Sequence, residues 1–146
     1  MAEFFDMSFH EKSNLAVLAL LTLVFGVYFL WLMPQMAVAD PLPPPAAVAG
    51  VLIPFVLCLV VLIGVVHLVF KLRDLKEKGE ADERDRLIET RAEARAGFML
   101  ALGVFGALTL LLAGAAPFWI ANALLGALVL AELVKGVLRA IAYRRS

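Results

Sequence analysis

Four long apolar stretches, separated by polar or proline-containing connections, dominate the pattern of this chain. They cover residues 14–33, 46–70, 97–114 and 117–138. A helix needs about 20 mostly apolar residues to cross a hydrocarbon layer about 30 Å thick. The pattern therefore predicts four transmembrane helices within a single integral membrane domain over residues 1–146.

The connection between the second and third stretches is filled with charged residues. Oppositely charged residues four positions apart at 71–78 favour a continuation of the second helix, which Gly79 should end. Asp82 can cap a new helix, and no glycine or proline interrupts residues 83–96 before the third stretch. We therefore expect a charged helical hairpin over residues 71–96.

A very short connection at residues 114–118 joins the third and fourth stretches, so these helices should be antiparallel neighbours. Small residues repeat at four-residue spacing on both helices, which allows close approach in a membrane. They are Gly103 and Ala107 on the third helix, and Ala123, Ala127 and Ala131 on the fourth. The sequence predicts an all-α, four-helix up-down bundle, and the same small residues could serve a homodimer.

The basic residues lie on one side of this predicted arrangement. Of the 13 Lys and Arg residues, Lys12 precedes the first stretch, eight lie within 71–96, and the others fall from Lys135 onward. Basic loops are retained on the cytoplasmic side during insertion. The chain is 63% apolar with a mean hydropathy of +0.93, so we expect a multi-pass protein of the bacterial inner membrane, embedded in the lipid bilayer, with both termini cytoplasmic.

Four further positions in or next to the apolar stretches carry expectations about their surroundings. Tyr28 lies near the outer end of the first stretch, where aromatic rings prefer the membrane interface. Pro34 should belong to the external loop, and Pro54 should kink the second helix. Cys58, the one cysteine, is expected to be a small buried filler.

The charged hairpin is the first candidate site. At 100° per residue, its acids Asp82, Asp85, Glu89 and Glu93 form one stripe, nearly opposite a second stripe of Arg84, Ile88, Arg91 and Arg95. Like charges four residues apart are slightly destabilising, so the arginine stripe could meet lipid headgroups or the 71–78 helix and leave the acids for a partner. The candidate partner-binding residues are Asp82, Glu83, Arg84, Asp85, Arg86, Glu89, Arg91 and Glu93. The simpler alternative is membrane anchoring by the basic residues, with acids that balance their charge.

The second candidate site is a set of ionisable residues inside the predicted spans. Glu132 lies about 21 Å into the fourth helix at 1.5 Å per residue, and such a carboxylate is a functional hypothesis by default. Lys135 can pair with it one turn away, and His67 lies at a comparable depth. The set is either a proton-carrying site or a structural polar cluster.

Several chemistries lack the residues they need. Two histidines and one cysteine are too few for haem ligation between helices, a CxxC redox pair or a zinc site. The glycines lie in apolar stretches instead of a phosphate-binding loop, and the basic residues alternate with acids instead of forming a nucleic-acid-binding patch. We therefore expect no enzymatic activity, cofactor, metal or direct contact with nucleic acid.

Three segments resemble an uncharacterised family of small four-span bacterial inner-membrane proteins. They are SFHEKS at 8–13, ADERDRLIE at 81–89 and FWIANALL at 118–125. The resemblance covers nearly the whole chain, and the 81–89 motif is its most specific part. It implies the same topology and a partner class, a small helix-turn-helix regulator, and it supplies no catalytic residue.

Three functions therefore remain open at this point. The first is a non-enzymatic membrane protein that binds a cytoplasmic partner, such as a small regulator, through the charged hairpin. The second is an immunity protein against a membrane-active peptide toxin. The third is a proton-coupled small-molecule carrier that uses Glu132.

Overall fold

The computed structural model describes residues 9–74 and 83–144, which contain helices and no strand. The elements are α1 (Phe9–Val27), a π-helical turn (Tyr28–Leu32), α2 (Met33–Ala37), α3 (Pro45–Asp74), α4 (Glu83–Leu112) and α5 (Pro117–Arg144). The predicted all-α class is confirmed for this part of the chain. Asp82 and the rest of segment 75–82 lie outside the described residues, so the hairpin over 71–96 stays a prediction.

The first helix continues beyond the boundary that its sequence predicts. Pro34 lies inside the helical rod, which ends at Ala37, and not in the loop that follows. Proline has no N–H to donate, and the π-helical turn just before it shifts the bonding so that Met33 N–H reaches the Tyr28 carbonyl. Such local adjustments make proline tolerable in membrane helices, so the predicted boundary at residue 33 is wrong.

The two longest helices are uninterrupted. α3 runs over 30 residues through Pro54, and the kink expected there stays a prediction. α4 also runs over 30 residues, from Glu83 to Leu112. This confirms that the charged segment after residue 82 and the third apolar stretch form one helix.

The buried core is shared by α1, the π-helical turn, α3 and α5. Its central side chains come from Leu21, Phe25, Tyr28, Val48, Leu52, Leu59, Phe118, Leu125 and Val129. No residue of α4 belongs to this cluster, and among the described helices α4 packs only against α5. The molecule is therefore a three-helix core with a fourth helix on its outside.

Tyr28 lies within this core, and its expected depth near the membrane interface stays a prediction. It is fully buried, and its ring packs against Phe55 at a centroid distance of 4.8 Å. Its hydroxyl donates to Asn122 Oδ1 at 2.7 Å, and Asn122 Nδ2 donates to the Phe118 carbonyl at 2.8 Å. A buried hydroxyl without an acceptor is costly, and Asn122 on α5 supplies the acceptor that allows Tyr28 to face inward.

α4 and α5 approach closely through small residues. Ala107 and Ala127 are buried, and a Cβ added to Gly103 would lie 3.1 Å from Ala127 Cα and overlap its Cβ. The connecting turn at 113–116 contains Gly114 with φ of 74°, a conformation that favours glycine. The predicted close packing of these two helices is confirmed.

Within residues 9–74 and 83–144, three helical segments are long and apolar enough to cross a membrane: Asn14–Ala37, Pro45–Leu62 and Leu87–Leu112. α5 is not among them, although its 28 residues make it nearly as long as α4. The lateral surfaces of α3 and α4 expose many large apolar side chains, as expected for membrane helices. Cys58 is exposed on α3, so the expectation that it is buried is wrong.

Candidate functional site at the charged end of α4 and α5

The first turns of α4 and the last turns of α5 form the most highly charged part of the described structure. α5 returns along α4, so residues at similar distances from the turn at Gly114 face each other. Glu89 lies 25 residues before Gly114 (114 − 89) and Arg139 lies 25 residues after it (139 − 114). The antiparallel connection therefore brings a carboxylate and a guanidinium to the same level.

Arg139 connects the two helices through the acidic stripe. Its Nη2 donates to Glu89 Oε1 at 2.6 Å and lies 3.9 Å from Glu93 Oε1. The side chain of Arg139 is 16% exposed, whereas those of Glu89 and Glu93 are 55% and 54% exposed. One cation between two carboxylates offsets the repulsion that the i,i+4 acids would otherwise have.

The guanidinium of Arg139 is not fully satisfied by these carboxylates. Its Nε is buried and has no hydrogen-bond acceptor among the described residues. A guanidinium carries five N–H donors in a fixed planar geometry, and the Nε donor is unused among the described residues. The ion pairs therefore hold α5 at a defined height along α4, although they use only part of the hydrogen-bonding capacity of Arg139.

The basic stripe of α4 has a different environment. Arg91 and Arg95 are exposed, and within the described residues neither has a carboxylate oxygen within 4.0 Å. Their nearest acids in sequence, Glu89 and Glu93, are directed to Arg139. Among the described side chains the two stripes therefore differ: Glu89 and Glu93 have a partner on α5, whereas Arg91 and Arg95 have no ion-pair partner.

Four of the candidate partner-binding residues have only a backbone position. Glu83, Arg84, Asp85 and Arg86 form the first turn of α4, and their side chains lie outside the described part of the structure. Of the eight candidates, the structure therefore describes the side chains of Glu89, Arg91 and Glu93. It brings the two glutamates together on Arg139 and leaves Arg91 on another side of the helix.

The second candidate site is present in part. Glu132 Oε2 lies 3.3 Å from Lys135 Nζ, and the two side chains are 25% and 13% exposed. This confirms the expected pairing one turn apart on α5. His67 belongs to α3, and its side chain lies outside the described part of the structure, so its place beside this pair is untested.

Sequence reasoning missed two contacts that position the site. The charge pattern marks Arg139 only as one of the basic residues near the C-terminus, whereas its equal spacing from Gly114 is the signal that pairs it with Glu89. Asn14 on α1 donates from Nδ2 to the Gly136 carbonyl at 2.8 Å, and a Cβ at Gly136 would lie 3.0 Å from Leu18 Cδ1. α1 therefore supports α5 one turn from Arg139, and no motif indicated this contact.

Comparison with models of protein families, with curated proteins and with solved structures gave no match to this chain.

Proposed function

We propose that this protein is a non-enzymatic protein of the bacterial inner membrane that presents the charged beginning of α4 to a cytoplasmic protein. The observation that carries the proposal is the ion pair of Arg139 with Glu89. It fastens the charged turns to α5, so a partner would meet a surface that is already ordered. Preformed surfaces lose less conformational entropy on binding than flexible ones.

The length of α4 supports this function. Its 30 residues extend about 45 Å at 1.5 Å per residue, whereas a hydrocarbon layer is about 30 Å thick. About ten residues therefore project from the membrane if α4 crosses it. These are the turns that begin at Glu83 and carry the charges.

α5 would complete a four-span, up-down arrangement. The contacts of Gly103 with Ala127 and of Arg139 with Glu89 show that α5 follows α4 along most of its length. A helix that returns along a transmembrane neighbour ends on the side where that neighbour began. We therefore propose that the C-terminus shares the cytoplasmic side with the charged beginning of α4.

The proposed partner surface combines the first turn of α4 with the exposed parts of the stripes that follow. It comprises Asp82, Glu83, Arg84, Asp85, Arg86, Glu89, Arg91 and Glu93. This surface carries both positive and negative side chains. It therefore favours a protein partner with complementary charges over nucleic acid, which would require a basic patch. The partner class that we propose is a small helix-turn-helix regulator.

Affinity capture from mild detergent, with identification of the bound proteins, tests this proposal. Asp82→Ala and Asp85→Ala together should abolish capture of a soluble protein that the wild type retains. Glu132→Gln is the control, because it removes a carboxylate of α5 that lies outside the proposed surface. Equal capture by all three proteins would contradict the proposal, and a peptide toxin in place of a soluble protein would favour the immunity alternative.

The pair of Glu132 and Lys135 favours a second candidate, a proton-coupled carrier. Both side chains are largely buried and lie 3.3 Å apart, and a largely buried carboxylate in a membrane helix is a functional candidate. In reconstituted vesicles, Glu132→Gln should abolish proton-driven uptake, whereas Asp82→Ala should not. If vesicles with the wild-type protein take up none of a set of cationic and neutral test solutes, this candidate is contradicted.

A further inference from the structure

A groove of about 450 Å³ lies between α4 and α5, away from the ion pairs of Arg139. It is lined by Ala94, Arg95, Phe98, Met99, Val134 and Leu138. At about 100° per residue, Phe98 lies roughly 180° from Glu89 around α4, and Val134 lies roughly 140° from Arg139 around α5. The groove and the ion pairs thus occupy opposite flanks of the same helix pair.

The groove is apolar except for one cation. Arg95 is its only charged lining residue, and the other five lining side chains are aliphatic, aromatic or thioether groups. Phe98 and Met99 are themselves exposed, so the groove is open to its surroundings along α4. An occupant must therefore be mostly hydrocarbon with a negative group at one end.

Arg95 lies at the boundary between the polar and apolar parts of α4. It is the last charged residue before an uncharged run that extends to Glu132 on α5. Phe98 and Met99 follow it by about one turn on the apolar side. In a membrane this order places the guanidinium near lipid phosphates and the aromatic ring among acyl chains.

The guanidinium of Arg95 has no ion-pair partner among the described residues, so it can bind a ligand. Glu93 is directed to Arg139, and no carboxylate of the described residues lies within 4.0 Å of Arg95. A guanidinium binds phosphate through parallel N–H donors, which gives it an advantage over a lysine at such a site. The apolar lining and a cation without an ion-pair partner among the described residues together match the chemistry of an anionic phospholipid.

We propose that this groove is a specific site for one anionic phospholipid, whose phosphate binds Arg95 and whose acyl chain lies along Phe98, Met99 and Val134. The site goes beyond the proposed function, because Arg95 is not among the proposed partner-binding residues and lies on the flank of α4 opposite the acidic stripe.

Native mass spectrometry of the protein released from nanodiscs tests this site. Nanodiscs of mixed phosphatidylglycerol and phosphatidylcholine should yield protein that retains one phosphatidylglycerol. Arg95→Gln should lower its occupancy about tenfold, as expected for the loss of one charge-assisted contact. Arg91→Gln is the matched control, since it removes the same charge one turn farther from the groove and should change occupancy less than twofold.

A second variant tests the acyl-chain part of the site. Ala94→Phe adds a ring at an exposed position of the groove wall and should reduce retention without unfolding the protein, which circular dichroism in detergent would verify. Equal losses in the two arginine variants would show diffuse electrostatic attraction and overturn the proposal. Retention of phosphatidylcholine equal to that of phosphatidylglycerol, or full retention by Ala94→Phe, would overturn it as well.

Discussion

Arg139 Nη2 and Glu89 Oε1 lie 2.6 Å apart although 50 residues separate them in sequence. This contact joins the last turns of α5 to the first turns of α4. It sets the position of the charged segment relative to the three-helix core, because α5 belongs to that core and α4 does not.

Removing the carboxylate of Glu89 should loosen the beginning of α4. Its side chain is more than half exposed, so Glu89→Gln should lower the free energy of unfolding by only about 0.5–1 kcal/mol. Glu93→Gln should have a smaller effect because its distance to Arg139 is 3.9 Å. Hydrogen exchange of the first turns of α4 and thermal unfolding in detergent measure both effects.

Arg91→Gln controls for a general effect of charge on α4, and its stability should equal that of the wild type. The difference between Glu89→Gln and wild type should shrink in 1 M salt, where the screening length is about 3 Å. A salt-independent difference, or an equal loss in Arg91→Gln, would contradict the assignment of the ion pair.

The hydrogen bond from Tyr28 to Asn122 should stabilise the core. Tyr28→Phe keeps the ring but leaves Asn122 Oδ1 buried without its donor, which should cost about 1–2 kcal/mol of unfolding free energy. Thr109→Val is the control, because Thr109 is exposed and bonds only the Phe105 carbonyl of its own helix. Steric-trap or denaturant unfolding in micelles gives both values, and equal values would show that the buried bond contributes nothing.

Replacing Gly103 or Gly106 of α4 with alanine should change the free energy of unfolding in opposite directions. At Gly103 the added methyl overlaps Ala127 and should force the helices apart, at a cost of about 1–3 kcal/mol. At Gly106 nothing lies within 4 Å, so alanine should stabilise the helix by about 0.5–1 kcal/mol. Thermal unfolding of the two variants in one detergent tests this, and the same sign for both would contradict the described contact.

The proposed four-span topology makes a prediction about accessibility. In a Cys58→Ser background, Ala115→Cys should react with an impermeant maleimide added outside the cell, and Ser146→Cys should react only after the membrane is opened. The reason is that α5 would carry the chain back across the bilayer after the turn at 113–116. Labelling of both cysteines from the same side would show that α5 does not cross.

The helices and one helix pair could be predicted from the sequence because local patterns determine them. The absence of glycine and proline in 83–96 indicates that α4 is continuous, and α4 does run unbroken from Glu83 to Leu112. The short connection near Gly114 indicated an antiparallel pair, and the spacing of Gly103 with Ala107 indicated close packing. Each of these sequence signals lies within a short segment of the chain.

The features that sequence reasoning missed depend on which neighbour each side chain meets. No local pattern indicates that Tyr28 packs inward, because its acceptor, Asn122, lies 94 residues away in sequence. Proline at position 34 predicts a loop, because the compensating π-helical turn has no sequence signature. The pairing of Arg139 with Glu89 required the register of two helices, which the turn alone sets only to within a residue or two.

α4 meets the rest of the described structure through α5 alone. Small side chains along its length and the ion pairs of Arg139 at its charged end contribute to this interface. α5 in turn packs against α1 and α3. Any displacement of α5 within the core would therefore carry α4 with it, so α5 is the mechanical link between the core and both proposed binding surfaces.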